Sequence, residues 1–362
     1  PSSPASPEPA AASPAPAPTA PASASDALDI ARDLQTPSPG GVGRPRALLV
    51  DTPEFTLAVR GFAQVQVAPL VGKDALVANG DAADFAGFRA RRALFGVEGR
   101  AAGGLSYGLW IDPVDSVPLS QVRLAWSPLP DFAVEMGVVR VPFSKNAIQS
   151  SAELVFQERP LAVDKLVPDR QPGLALYGAL FGGIVSWRTG LFNGAAPSRL
   201  GLGNDHAGLL AAARVALDPF GPLRPGQADL EKGGIKVELA ANAYVDDNAA
   251  FSATAAGVDL SAQFLGFSFV GEWLWDQRVP KSAPVVGPSL PGTVVRTGLI
   301  GQLSYVVWQK GLEVAARAEQ VDDNQGLQDA GDTTNYALGL HWNVADLDLR
   351  VPRLLSSVEQ QL

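Results

Sequence analysis

From Phe55 to Val344 apolar and polar residues alternate one for one over long stretches, interrupted by turn residues. In Thr333 to Val344, Tyr336, Leu338, Leu340, Trp342 and Val344 fall on one parity, and Asn335, Ala337, Gly339, His341 and Asn343 on the other. Phe267, Phe269, Gly271, Trp273 and Trp275 alternate with Ser268, Val270, Glu272 and Leu274. Ile235, Val237, Leu239, Ala241, Ala243 and Val245 alternate with Lys236, Glu238, Asn242 and Tyr244. Period two puts one set on each face of a sheet. Half-buried soluble strands alternate too, but over about five or six residues. Repeated segments of about nine to eleven residues suit tilted strands crossing a bilayer. The pattern predicts an all-β chain folded as an antiparallel transmembrane β-barrel.

Sixteen segments carry the strand signal: Phe55–Val67, Phe88–Ala101, Leu105–Asp112, Leu119–Trp126, Phe132–Val141, Gly173–Leu180, Ile184–Asn193, Ala207–Leu217, Ile235–Asp246, Ala255–Phe264, Gly266–Gln277, Val294–Val307, Gly311–Val321, Thr333–Val344, Asp346–Val351 and Leu354–Leu362. The final two are poor, so about 16 strands is the first expectation and 14 the alternative; bacterial barrels favour even numbers. Short connections such as Ser127–Asp131 and Leu265–Gly266 alternate with long ones such as Ala68–Gly87 and Pro142–Arg170. Short periplasmic turns and long outer loops produce this alternation. Asp218–Gly234 is long where a short turn is expected.

The lipid-facing parity holds Trp126, Phe132, Trp187, Trp273, Trp275, Tyr305, Tyr336 and Trp342, several near strand ends where an aromatic girdle belongs. The opposite parity carries Arg60, Arg92, Glu98, Arg100, Arg123, Glu135, Arg188, Arg214, Lys236, Glu238, Glu272, Arg296, Glu313, Arg317 and Glu319, the expected lumen lining. Charges are tolerated there where the lumen holds water or partners of opposite sign. They line a polar passage, brace the wall as salt-bridge ladders, or do both.

Composition agrees with a barrel. The chain has 362 residues, 18% charged and 46% hydrophobic, with no Cys, one Met and a net charge of −9. No run of about eighteen apolar residues supplies a transmembrane helix. The acidic balance excludes nucleic acid as the expected partner. Opening at Pro1 without a start Met, the chain reads as a processed or a trimmed form. Residues 1–45 read as a flexible, disordered Pro/Ala-rich periplasmic extension, with a periplasmic or cell-wall partner as its alternative role; residues 46–362 read as the barrel. His206 and His341 lack metal-ligand spacing, the acidic clusters at Asp246 and Asp322 read as solvated loop tips, and no catalytic motif appears. The expectation is no enzyme, no cofactor and no metal.

Several blocks resemble the phosphate-selective porin O and P family of Gram-negative outer membranes. They are Arg91-Arg92-Ala93-Leu94-Phe95-Gly96-Val97-Glu98-Gly99, Gln121 to Trp126, Met136-Gly137, Val141-Pro142-Phe143-Ser144, Ser150 to Glu153, Phe156 to Ala162 and Pro168 to Gly173. Leu191 to Gly194, Gly271-Glu272-Trp273, Arg317 to Asp322 and Gly339 to Trp342 follow in order. The resemblance implies a sixteen-stranded homotrimeric porin, embedded in outer-membrane lipid, whose third outer loop narrows the pore. Here that loop is Pro142 to Arg170, carrying Lys145, Arg159, Lys165 and Arg170 against Glu153, Glu158, Asp164 and Asp169. Four cations against four anions supply no cationic excess, so phosphate selectivity is not expected. The chain finishes at Leu362 without the terminal aromatic residue of such barrels, which points to a degenerate closing hairpin or a scaffold role. The leading expectation is a porin passing small ions or solutes, anions among them. The alternative is a structural barrel subunit of a larger envelope assembly.

Overall fold

The computed structural model describes residues 47–68, 87–115, 118–194, 208–224, 226–248, 251–281, 292–309, 311–327, 331–344 and 347–355. Residues 1–45 lie outside this range, and with them the expected extension. The described strands form one antiparallel 16-stranded sheet in which each strand pairs with the next in sequence. In order they are β1 (Ala47–Asp51), β2 (Phe55–Ala68), β3 (Gly87–Ala101), β4 (Leu105–Ile111), β5 (Leu119–Leu129), β6 (Phe132–Arg140), β7 (Arg170–Leu180) and β8 (Val185–Phe192). There follow β9 (Leu210–Leu217), β10 (Lys236–Asp247), β11 (Phe251–Phe264), β12 (Phe267–Pro280), β13 (Val294–Val306), β14 (Leu312–Asp322), β15 (Thr333–Val344) and β16 (Leu347–Leu355).

Sixteen is the expected count, reached through two compensating differences. The short β1 was not foreseen; it pairs with β2 from Ala47↔Val59 to Asp51↔Thr56. Of the last two predicted strands, Asp346–Val351 runs on past its expected end as the single β16, which carries Pro352 opposite Gly339, and most of Leu354–Leu362 lies outside the described residues. A proline inside a strand reads as a break in sequence, yet a strand can carry one where its missing N–H is not needed by a neighbour.

The sheet is inside out. Outward residues of β12 and β15 are large and exposed, with Trp273 at 42% and Trp342 at 55%, while Glu272, on the other parity of β12, is 2% exposed. Phe269, Leu338 and Leu340 also face out, and Arg317 and Glu319 face in. An apolar outer face is stable only in lipid, where water does not oppose its exposure. At the end with the short turns, aromatic pairs ring the wall: Phe55 with Tyr107 at 5.8 Å, Phe132 with Trp187 at 6.2 Å and Phe267 with Tyr305 at 4.4 Å. Such girdles mark a membrane–water boundary.

The curl of the sheet follows from what the β6–β7 loop touches. That single segment bonds to Arg91 and Arg92 on β3, Glu238 on β10, Glu272 on β12, Arg296 on β13 and Arg317 on β14. Early and late strands therefore surround one loop. The loop contains two one-turn helices, α1 (Lys145–Ile148) and α2 (Leu161–Leu166). Val139, Phe143, Leu161, Val163 and Leu166 pack with Tyr244, Leu274 and Ile300 into an apolar cluster inside the barrel. Gly298 on β13 permits this approach, because a Cβ there would lie 2.8 Å from the Ala162 Cβ.

The β9–β10 connection also turns inward, and from the opposite end. Asp229 accepts from Gly233 N and Gly266 N at 3.2 and 2.9 Å, pinning the segment to the β11–β12 turn. Gln227 N then donates to Glu153 O at 3.1 Å, deep enough to meet the β6–β7 loop.

Candidate pore and constriction loop

The wall charges expected in the lumen sit mostly in opposed pairs. Arg60 meets Glu98 at 2.7 Å, Arg188 meets Glu135 at 2.6 Å, and Arg123 lies 3.9 Å from the same Glu135. Arg214 bridges Glu238 and Asp259, both at 2.8 Å. Arg296 grips Asp276 through two bonds of 2.8 Å, and His341 Nδ1 lies 3.3 Å from Glu313. Arg317 lies over the Phe156 ring at 4.7 Å and 3.9 Å from Glu319. Arg100 and Lys236 keep the inward parity but stand at the turn end, where Lys236 donates to Phe220 O at 2.7 Å. His206 lies outside the described residues.

Four cations and four anions on one loop could in principle pair with one another. Their hydrogen bonds instead run chiefly to the wall and to main chain. Lys145 Nζ donates to Glu238 at 2.9 and 3.0 Å. Glu158 takes a two-pronged bond from Arg91 and a third from Arg92 at 3.4 Å. Lys165 lies 3.7 Å from Asp323 and donates to Gly331 O at 3.3 Å. Glu153 accepts from Gln149 at 2.7 Å. Arg159 donates to Asn146 O, Gln149 O and Ser151 Oγ at 3.1, 2.7 and 3.2 Å. Arg170 opens β7 rather than ending the loop. The cause is geometric: a loop laid across a lumen presents its side chains to the surrounding strands more than to itself.

Two arginines reach the interior by routes that alternation hides. Pairing slips by one residue between Gln64↔Arg92 and Val65↔Ala90, leaving Arg91 as the extra residue. Such a bulge re-aims a side chain, and here Arg91 joins Arg92 on Glu158. Arg140 falls on the outward parity of β6, counted from the exposed Met136. It is the strand's last residue, and its guanidinium turns into the loop and donates to Ala147 O.

At this neck the charge balance departs from four against four. Arg140 stands directly opposite Arg170 on the β6–β7 ladder. With Arg159 they form a group whose described hydrogen bonds go to no carboxylate. Asp164 and Asp169 face them, and Asp115 faces Arg170 as well. Asp169 is held below the usual carboxylate range: burial opposes this, but Arg170 and Arg140 outweigh it. Burial pushes Asp164 up to about 7, Arg159 opposing and Glu158, Asp169 and Glu319 assisting. Lys145 and Glu158, by contrast, are neutralised by the wall.

No known family model matches the sequence, and no curated protein matches it. Solved structures do match. The anion-selective porin from Comamonas acidovorans aligns over 84% of this chain and 92% of its own, with 14% identity and a TM-score of 0.56. A refined porin structure aligns over 81% and 90%, with 15% identity and a TM-score of 0.45. The outer membrane protein opdK from Pseudomonas aeruginosa aligns over 85% and 86%, with 12% identity and a TM-score of 0.43. The chain therefore has the porin fold, and that fold with its apolar outer face places it in the outer membrane of a Gram-negative bacterium.

Proposed function

We propose that this chain is a passive diffusion pore that favours small anions and catalyses no reaction. The observation that carries the reading is the arginine group at the neck of the inward loop. Arg140, Arg159 and Arg170 donate to main chain, hydroxyl or nothing described, whereas the cations elsewhere on the wall are largely matched by carboxylates. Selectivity follows the field at the narrowed part of a channel, not the sum over the wall. The fold of an anion-selective porin is consistent with this. The resemblance to phosphate-selective porins is retained only at the level of anion preference, because Asp164 and Asp169 stand among the arginines.

Planar-bilayer recording tests the proposal. A salt gradient should give a reversal potential on the anion side, moved toward zero by Arg159→Gln. A cation-selective current would overturn the preference.

A second reading has its own observation. The apolar cluster around Phe143, Tyr244 and Leu274 packs inside the barrel against strands from β6 to β14. A barrel filled throughout would be a scaffold in an envelope assembly, and purified protein would then give no channel steps. Assembly as a homotrimer belongs to the proposal as well, and crosslinking in native membranes tests it.

A further inference from the structure

The end of β6 and the β6–β7 loop form a partly open cavity of about 210 Å³ lined by Arg140, Val141, Ala147, Arg159, Val163, Asp164, Val167 and Asp169. All of these come from one segment, so the cavity belongs to the loop itself. Arg140 is 4% exposed. Its Nη1 is occupied by Ala147 O, while Nε and Nη2 are buried without a partner. Arg170, across the ladder, likewise keeps a buried Nε without one.

Buried donors without acceptors are costly, and like charges directly opposite on a ladder repel. The first cost falls for Arg140 if an anion enters the cavity and lies against its Nε and Nη2. Nε and Nη2 lie along one edge of the planar guanidinium, and their parallel N–H bonds match two oxygens of a single group. Arg140 and Arg159 balance Asp164 and Asp169 in the lining, so what a guest answers is the open Arg140 fork rather than a surplus of charge. Two carboxylates at the rim oppose a dianion. The Val141, Val163 and Val167 side chains offer a small apolar wall.

We propose that this cavity binds a short-chain monocarboxylate, its carboxylate on the Arg140 fork and its alkyl group against the valines. The site deepens the anion reading and rests on it for its place in transport. Occupancy would tie the end of β6 to α2 and set the shape of the loop.

The test is ligand-observed NMR with propionate on the detergent-solubilised full chain, folding being checked by heat-modifiable gel mobility. Propionate should bind saturably in the millimolar range. Arg140→Gln should weaken it about tenfold or more, the loss expected for a charge-assisted pair. Arg140→Lys, which keeps charge but not the fork, should weaken it as well. Ala147→Val should weaken propionate while sparing formate, and it carries the test if the arginine variants do not fold. Undiminished binding in Arg140→Lys and Ala147→Val overturns the site, as does phosphate displacing propionate at lower concentration than propionate itself binds. Bilayer recording of the same preparations separates the two claims: binding without channel steps upholds the site and removes the pore.

Discussion

Glu272 on β12 latches the first turn of the inward loop by accepting from Ser144 Oγ at 2.6 Å. The same carboxylate accepts from Asn146 N at 2.6 Å and from Asn146 Nδ2 at 3.1 Å. Ser144 has φ 67, a conformation that a non-glycine residue adopts only under compensation. The Glu272 bonds supply it. Glu272→Ala should lower stability against urea by about 3 kcal/mol, since it strands buried donors. It should also expose Lys145 to trypsin. Trypsin resistance equal to the parent protein would show that the loop is anchored elsewhere.

Lys145, Glu238, Arg214 and Asp259 form a chain of alternating charge from loop to wall. Glu238 is the shared member. A double-mutant cycle on Lys145→Met and Glu238→Gln should give a coupling of about 1–3 kcal/mol, because the pair is largely desolvated. Coupling near zero would mean that the bond contributes nothing to holding α1.

In the proposed pore, Asp164 should make selectivity depend on pH. Its carboxyl sits at about 7, so it gains a proton as pH falls from 8 to 6, and the neck loses a negative charge. Asp218, also pushed up to about 7 by burial, titrates in the same window at the turn end. Anion preference should therefore rise on acidification. Asp164→Asn should show the acid-side preference at every pH and a flatter profile. A profile as steep as the parent's would assign the effect to Asp218.

Leu338 and Ala337 test the two faces of β15. Leu338→Arg places a charge in lipid and should cost about 2–4 kcal/mol near the bilayer midplane. Ala337→Ser, on the inner face, should cost much less. Equal costs in refolding titrations would reverse the assigned faces.

Most of the wall was legible because period two survives wherever strands are regular, as in β10, β12, β14 and β15. It failed where local geometry departs from that period. The bulge at Arg91 shifts the parity within one strand, so no single numbering rule assigns both Phe88 and Phe95. Arg140 was missed because alternation sends it toward lipid, and only the turn into the loop brings it back. β1 was too short to show a pattern. The inward loop could be located from its length, but its partners could not, since Glu158 finds Arg91 and Lys145 finds Glu238 across wide gaps in sequence. The length of 218–234 was visible, whereas its entry into the barrel depends on Asp229 and Gln227 finding acceptors and donors on four other elements.

Gln227 gives that entry a consequence for assembly. Its Nε2 donates to Asn146 at 2.7 Å, while its Oε1 accepts from Val155 N at 3.0 Å and Gln302 at 2.9 Å. Two segments thus arrive through opposite mouths and interlock within the wall. Neither can be threaded past the other once the interior is filled, so lodging them and pairing the strands around them should belong to one cooperative step. A hollow architecture thereby acquires the all-or-none folding of a solid one, and damage to the lumen contacts should show itself first as slow or failed insertion into the membrane.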